Sequence, residues 1–311
     1  MKPAALWAVT ALFNPRHYRS RIANFRQFRL HLDVPLLAVE LSFDGAFELA
    51  QSDADILIRI HGGDVMWQKE RLLNLGVARL PHTCSAVALL DCDIVFERAD
   101  WVTATLEALQ HVPAVQPFSE AHFLARDAGL SPGQTDSAAA IQYAAAHALA
   151  KGCDPRQCLG VQPGDGRGQT TGGLAWAYRR ELLERHGLYE ACVVGGGDTA
   201  VTCATYGAFA AVEQRHHMNA RQQRFYRRWA AGWFADVAAR TESISGNILH
   251  LWHGSLIDRQ ARTRHEGLVP YDFDPAADYS ATPEGALCWA SEKPALHQYV
   301  ADFFLSRRED G

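Results

Sequence analysis

Two carboxylates, Asp91 and Asp93, stand one residue apart at the end of the apolar run Val87-Ala88-Leu89-Leu90. A run of that length and composition reads as a buried strand. In open α/β sheets ligands gather at the carboxyl ends of strands, and hard oxygen donors suit Mg²⁺ or Mn²⁺. The pair therefore points to a divalent cation that also holds a nucleotide diphosphate. Asp-x-Asp recurs as Asp53-Ala54-Asp55 and Asp272-Phe273-Asp274, but the first precedes its apolar run and the second lies in a polar stretch after Pro270. Both read as solvated turns or caps.

Five other stretches carry groups of use to such a site. In Gly195-Gly196-Gly197-Asp198 three glycines precede one carboxylate at a helix start, so backbone and Asp198 can meet a substrate without obstruction; helix capping is a compatible alternative. Gly172-Gly173 opens a short strand and lets a ligand approach closely, Gly173 being the nearer to that strand. Trp67 and Lys69 put a ring and a cation at a helix N-terminus, which suits an anionic ligand, although Trp67 suits the core equally well. Asn14, Arg16, Arg19 and Arg21 follow the first strand, as partners for a base and phosphates or as a solvated helix start. His250 and His253 lie three apart and would face opposite sides of a regular strand. Both reach one metal only if the backbone turns near Trp252-His253-Gly254.

The elements that must position these groups alternate between strand and helix as far as residue 118. Strands are expected at 6–13, 35–41, 56–60, 87–90 and 114–118, with helices after Arg16, from near Val65, and from about Asp100 to His111. This alternation predicts a mostly parallel sheet covered on both faces. From 120 to 171 the texture changes, with an alanine-rich helix expected over 137–150 inside a Gly-rich and polar surface connection; a mobile acceptor lid is the alternative. Gly164, Gly166 and Gly168 lack the flanking strand and helix of a dinucleotide fingerprint. Further helices are expected from Arg179, from Thr199 and over 221–233, the last packed on the domain. The stretch with Arg259, Arg262 and Arg264 and the charged C-terminus carry no clear chemistry.

A chain of 311 residues that is 48% hydrophobic and 21% charged has room for one large α/β domain or two small ones around a sizeable core. A net charge of −5 leaves no electrostatic footprint for a nucleic acid polymer. The seven cysteines show no paired spacing, so neither a disulfide framework nor a zinc knuckle is expected, and a reducing cytoplasm fits. The apolar start reads as a first strand, not a signal peptide, and no later run is long enough for a transmembrane segment.

Taken in order, the strand-ending Asp-x-Asp, the Gly-Gly-x-Ala-x-x-x-Arg-Arg-Glu segment from Gly172, the glycine turn ending in Asp198 and the late His-x-x-His resemble a GT-A fold glycosyltransferase. The pattern is similar to the β-1,4-galactosyltransferase-like branch and related bacterial family-two enzymes. Trp67-Gln68-Lys69-Glu70-Arg71-Leu72-Leu73-Asn74-Leu75-Gly76 resembles that branch's Phe-Asn-Arg-x-Lys-Leu-Leu-Asn-x-Gly segment, whose aromatic and first basic residue contact the nucleotide. Phe13-Asn14-Pro15-Arg16 with Arg19 and Arg21 is similar to its Pro-Phe-Arg-Asn-Arg loop. The likeness runs from about residue 6 to 254, except 120–171.

The resemblance implies a Rossmann-like, mostly parallel central sheet flanked by helices. It implies a GT-A domain over residues 1–270, with a nucleotide-binding half at 1–118, an acceptor half at 170–270 and an extension at 271–311. Asp93 would ligate Mn²⁺ or Mg²⁺ with His253 and, three residues earlier, His250. Asp91 would support the site or bind the ribose. The family's Gly-x-Gly-Gly-Glu-Asp ends in two acids, whereas here Thr199 follows Asp198, so Asp198 is assigned as the base for inverting transfer. The expected reaction moves a sugar from a UDP-sugar, with a GDP-sugar as second choice, to a hydroxyl of a saccharide or other acceptor. A sugar-1-phosphate nucleotidyltransferase and a non-catalytic nucleotide-sugar or glycan binder on the same fold are the rival readings.

Overall fold

A computed structural model describes residues 5–126, 128, 138–154, 158–159, 170–255, 258–260 and 263–311. Its first strands, β1 (Leu6–Phe13), β2 (Leu36–Ser42), β3 (Ile56–His61) and β4 (Ala86–Leu90), pair parallel in the order β4-β1-β2-β3. Every residue of β2 and β4 is buried, as apolar strands covered on both faces require. The side chains alternate between two cores. Val9, Leu37, Val39 and Leu89 enter one apolar cluster, while Ala8, Leu36, Ala38 and Ala88 enter the other.

Beyond β4 the chain enters a second sheet through β5 (Ile94–Phe96), then returns to the first with β6 (Ala114–Gln116). The next strands are β7 (Glu120–Leu124), β8 (Ala138–Ala144), β9 (Thr170–Thr171), β10 (Ala175–Arg179), β11 (Thr241–Ser243) and β12 (Asn247–His250). The main sheet has the order β11-β6-β10-β4-β1-β2-β3, and β10 runs antiparallel to both of its neighbours. The second sheet is ordered β5-β12-β7-β8-β9, and a hairpin of β13 (Tyr279–Ala281) and β14 (Leu287–Trp289) follows. This is the expected α/β architecture with a mostly parallel central sheet.

The segment expected to be a surface connection departs from that reading. Instead of one helix over 137–150, Ala138–Ala144 forms a strand paired antiparallel with β7, and only Ala145–Ala150 is helical. Pairing with an available sheet edge overrides the helical preference of alanine. The glycines at 164, 166 and 168, and Arg262, lie outside the described residues. Cys153 and Cys158 are joined in a disulfide, contrary to the expectation of unpaired thiols; the other five cysteines are free. Among the described residues no helix is long and apolar enough to cross a membrane.

Three helices frame the carboxyl end of β4. The helix expected from Val65 begins at Lys69 and runs to Val77, because the Trp67 amide donates to the Val193 carbonyl and the Gln68 side chain donates to the Asp64 and Leu287 carbonyls. Gly197–Thr205 carries Asp198 in its first turn, and Ala220–Val237 buries Tyr226, Ala230, Trp233 and Val237, the packed amphipathic helix that the sequence predicts. A final helix, Pro294–Leu305, contributes Leu296, Val300, Phe303 and Phe304 to the same apolar cluster as Val9 and Leu89.

The Lys69–Val77 helix lies so close to the sheet that a Cβ on Gly76 would come within 2.7 Å of Val9 Cγ1 and 3.0 Å of Leu37 Cδ2. A gain in helix propensity of about 1 kcal/mol cannot offset a clash against two immobile strand side chains. Gly76→Ala is therefore expected to destabilise the fold by about 1–3 kcal/mol, read as a lower urea midpoint with unchanged slope.

Candidate active site

Asp91 leaves β4 with its amide donating to the Leu174 carbonyl at 2.8 Å. Its Oδ1 lies 2.5 Å from Lys69 Nζ, which also donates to Asp198 Oδ1 at 2.9 Å and Oδ2 at 3.2 Å. One ammonium therefore ties the strand end to the first turn of a helix more than a hundred residues away. Two glycines make the approach possible. A Cβ on Gly173 would come within 2.9 Å of Asp198 Oδ2, and one on Gly197 would lie 2.0 Å from Glu70 Oε1. Asp198 does not cap its helix through its side chain; its described partner is Lys69.

Asp93 belongs to a second group. Because β5 begins at Ile94 and pairs antiparallel with β12, His250 stands opposite Ile94, and the Leu251 amide donates to the Asp93 carbonyl at 2.8 Å. The strand ends at His250, and over the irregular residues 251–253 the chain brings His253 to the same carboxylate, with Gly254 at a φ of +95° directly after it. Asp93 Oδ2 is 3.1 Å from His253 Nε2, and Asp93 Oδ1 is 3.8 Å from His250 Nε2. Ligand atoms of all three residues lie within 4.8 Å of one another. Burial, reinforced by Arg259, holds both imidazoles well below their ordinary pKa, so their nitrogen lone pairs are available.

This set of one oxygen and two nitrogens suits a divalent transition-metal cation. Asp93 Oδ1 and His253 Nδ1 are buried with no hydrogen-bond partner among the described residues. An Arg259 Nη2 atom donates to His253 Nε2 at 2.6 Å, placing a protein cation beside the same donors. Coordination through that nitrogen requires Arg259 to withdraw.

The charge balance of the cleft favours a cation as well. Asp91, Asp93, Asp198 and Glu70 gather around Lys69. Burial alone pulls the Lys69 ammonium down, but Asp198 and Asp91 outweigh it and hold the group well above its ordinary value. The carboxyls absorb the excess negative charge. Burial, then Asp198, pushes Glu70 up to about 8, and burial with Asp198 and Asp93 pushes Asp91 up to about 7 despite its bond to Lys69.

No family model matches the sequence, and no curated protein matches it. Among solved structures, a mannosyltransferase from Pyrobaculum calidifontis in complex with GDP-Man and Mn²⁺ is 13% identical with a TM-score of 0.44, covering 96% of this chain and 69% of its own. TarS 1–349 of S. aureus is 10% identical with a TM-score of 0.41, covering 98% and 71%. A variant of Drosophila β1,4-galactosyltransferase 7 in complex with manganese, UDP-Gal and xylobiose is 9% identical with a TM-score of 0.40, covering 96% and 99%. At these identities and scores the likeness carries no chemistry, which rests on the residues of the cleft.

The structure brings together Lys69, Asp91, Asp198 and Gly173, and separately Asp93, His250 and His253. Trp67 packs edge-on against Phe13 at 5.4 Å and lies under the Arg307 guanidinium at 5.3 Å; its buried indole N–H has no hydrogen-bond partner among the described residues. Arg21 pairs with Glu309 at 3.0 Å. Asn14 donates to Glu48 and to the Tyr18 carbonyl, lining a cavity of about 60 Å³ at the ends of β1 and β2 with Glu40, Ser42 and Asp44. Arg19 is exposed, and its described bond is from its backbone amide to Asp310. The other two Asp-x-Asp pairs are structural: Asp55 accepts from the Leu36 amide, and Asp272 pairs with Arg221.

Glu70, Arg259, Arg264, Arg307 and Glu309 carry no motif, and sequence reasoning passed over them. Glu70 was within reach, as the acid beside Lys69 in a segment already singled out. The C-terminal pair reads as a charged tail, yet Arg307 and Glu309 are only 5% and 1% exposed, because the apolar helix before them is drawn into the core.

Glu70 sets a pH dependence. Its carboxyl holds a proton more tightly folded, at about 8, than at its ordinary value of 4.5. That contribution to stability is complete below the ordinary value and is lost as pH rises through 8. Glu70→Gln is expected to match the parent chain near pH 4 and to exceed it by roughly 2–5 kcal/mol near pH 9, read from urea midpoints at the two pH values.

Proposed function

We propose that the chain is a metal-dependent, inverting glycosyltransferase that moves a sugar from a UDP-sugar, with a GDP-sugar as second choice, to a hydroxyl of a saccharide or other acceptor. The observation that carries this reading is the joining of two groups at one strand end: a three-residue ligand set on Asp93 and a carboxylate, Asp198, tied to Asp91 through Lys69. Asp93, His250 and His253 would hold Mn²⁺ or Mg²⁺, whose chemistry is to neutralise charge developing on the leaving diphosphate.

Asp198 takes the proton of the acceptor hydroxyl as that oxygen bonds the anomeric carbon and the bond from carbon to diphosphate breaks. Its side chain is 39% exposed, and with two lone pairs on each oxygen it can accept a hydroxyl proton while Lys69 remains bound. Lys69 fixes the carboxylate in place. Asp91 supports Lys69 or binds the ribose, and Trp67, Arg21, Arg19, Asn14 and Gly173 are assigned to the nucleotide side. We place the nucleotide-binding half at about 1–118 and the acceptor half at about 170–270, with 271–311 as an extension that supplies Arg307 and Glu309. A cytoplasmic setting suits the five free cysteines, with the Cys153–Cys158 pair as the exception.

The test is a thermal-shift screen of nucleotide sugars with and without Mn²⁺, followed by donor hydrolysis and transfer assays on the best hit. Asp198→Asn is expected to lower kcat by about 10²-fold or more while nucleotide and Mn²⁺ still raise the melting midpoint. Asp93→Ala is expected to abolish the Mn²⁺-dependent part of that rise. No stabilisation by any nucleotide sugar with Mn²⁺ or Mg²⁺ would overturn the reading. Nucleotide binding with no turnover to lose would leave a binding protein.

A further inference from the structure

Arg264 is a cation with no ion-pair partner among the described residues. Its buried Nε has no hydrogen-bond partner among them either. Arg21 and Arg307, by contrast, both pair with Glu309, at 3.0 and 2.5 Å. Leaving a part-buried charge unpaired is costly, so such a group is kept where something else completes it.

The Tyr299 hydroxyl fixes the Arg264 backbone, donating to its carbonyl at 2.6 Å, and the guanidinium carbon sits 5.7 Å from the Phe303 ring, which Arg307 approaches from 5.8 Å. A Cβ built on Gly195 would be 3.3 Å from Arg264 Nη1 and 3.2 Å from the Trp67 ring, so the guanidinium and the indole meet at the glycine turn three residues before Asp198. The residue keeps partial exposure, which leaves it open to a ligand. The nearby rings of His216 and His265, stacked at 3.8 Å, are buried and held well below their ordinary pKa, so they add no second positive charge beside Arg264. Burial, then Arg307 and Arg215, pushes Arg264 itself down to about 10, against the pull of Asp198.

We propose that Arg264 forms a subsite for an oxyanion substituent, carboxylate or phosphate, carried by one of the two sugars that meet at Asp198. The inference rests on the transferase reading. The position at the glycine turn three residues before Asp198, the proposed base, assigns the anion to the sugars that meet there. The planar fork of an arginine suits either oxyanion in a bidentate manner.

The experiment is isothermal titration on the full chain with Mn²⁺. The donor arm compares UDP-glucuronate with UDP-glucose, and the acceptor arm, at saturating UDP, compares glucose 6-phosphate and glucuronate with glucose. In one arm the anionic probe is expected to bind about tenfold or more tighter than its neutral counterpart. Arg264→Gln should bring the two to equality, Arg264→Lys should retain part of the preference, and UDP affinity should stay unchanged in both. The arm that shows the preference identifies the sugar bearing the anion. Equal binding of neutral and anionic probes in both arms overturns the proposal, as does a preference that survives in Arg264→Gln. If Arg264→Gln melts early, Arg264→Lys decides, because full retention there together with unchanged salt dependence excludes a bidentate contact. Failure of UDP to bind the parent chain overturns the transferase reading instead. Glucose 6-phosphate against glucose without nucleotide then decides the subsite: a preference lost in Arg264→Gln keeps it, and no preference removes it.

Discussion

One ammonium holds the cleft together. Lys69 Nζ bonds Asp91 at the end of β4 and Asp198 at the start of the Gly197–Thr205 helix, so the strand that delivers the ligand set and the helix that delivers the proposed base are fixed by a single charge. The glycines follow from that constraint. Side chains at 173 or 197 would meet Asp198 or Glu70 within 3 Å, and the bridge could not close. Removing one partner of such a bridge leaves uncompensated buried charge, which is why it constrains everything around it.

Around the bridge, arginines stand beside the Asp93 group as well as on the C-terminal side of the cleft. Arg259 reaches His253, Arg21 and Arg307 share Glu309, and Arg264 has no carboxylate among the described residues. Asp93, His250 and His253 are the proposed ligands of a cation, and Arg264 the proposed contact of an anionic group on substrate.

Much of the central sheet was legible in the sequence, because fully buried parallel strands write themselves as apolar runs, and β2 and β4 are such runs. The convergence of His250 and His253 on Asp93 was legible only through the family resemblance, since their spacing on a plain strand separates them and the irregular residues 251–253 have no composition signal beyond the glycine that follows. The strand at Ala138–Ala144 was not legible, because alanine favours helix and only the neighbouring edge of β7 decides otherwise. Nor were Arg264, Arg307 and Glu309. The burial of Arg307 and Glu309 is produced by the packing of Phe303 and Phe304, about fifty residues beyond the last motif, an effect of tertiary structure on a stretch whose local sequence reads as solvated.

The central claim is that Asp93, His250 and His253 hold a divalent cation together with a nucleotide diphosphate, and linkage offers its most direct measurement. Mn²⁺ is titrated calorimetrically into the chain with and without UDP, and UDP with and without Mn²⁺. The account predicts one Mn²⁺ site per chain, tightened by UDP by the same factor by which Mn²⁺ tightens UDP. Absence of Mn²⁺ binding, or two affinities that do not depend on each other, would contradict it.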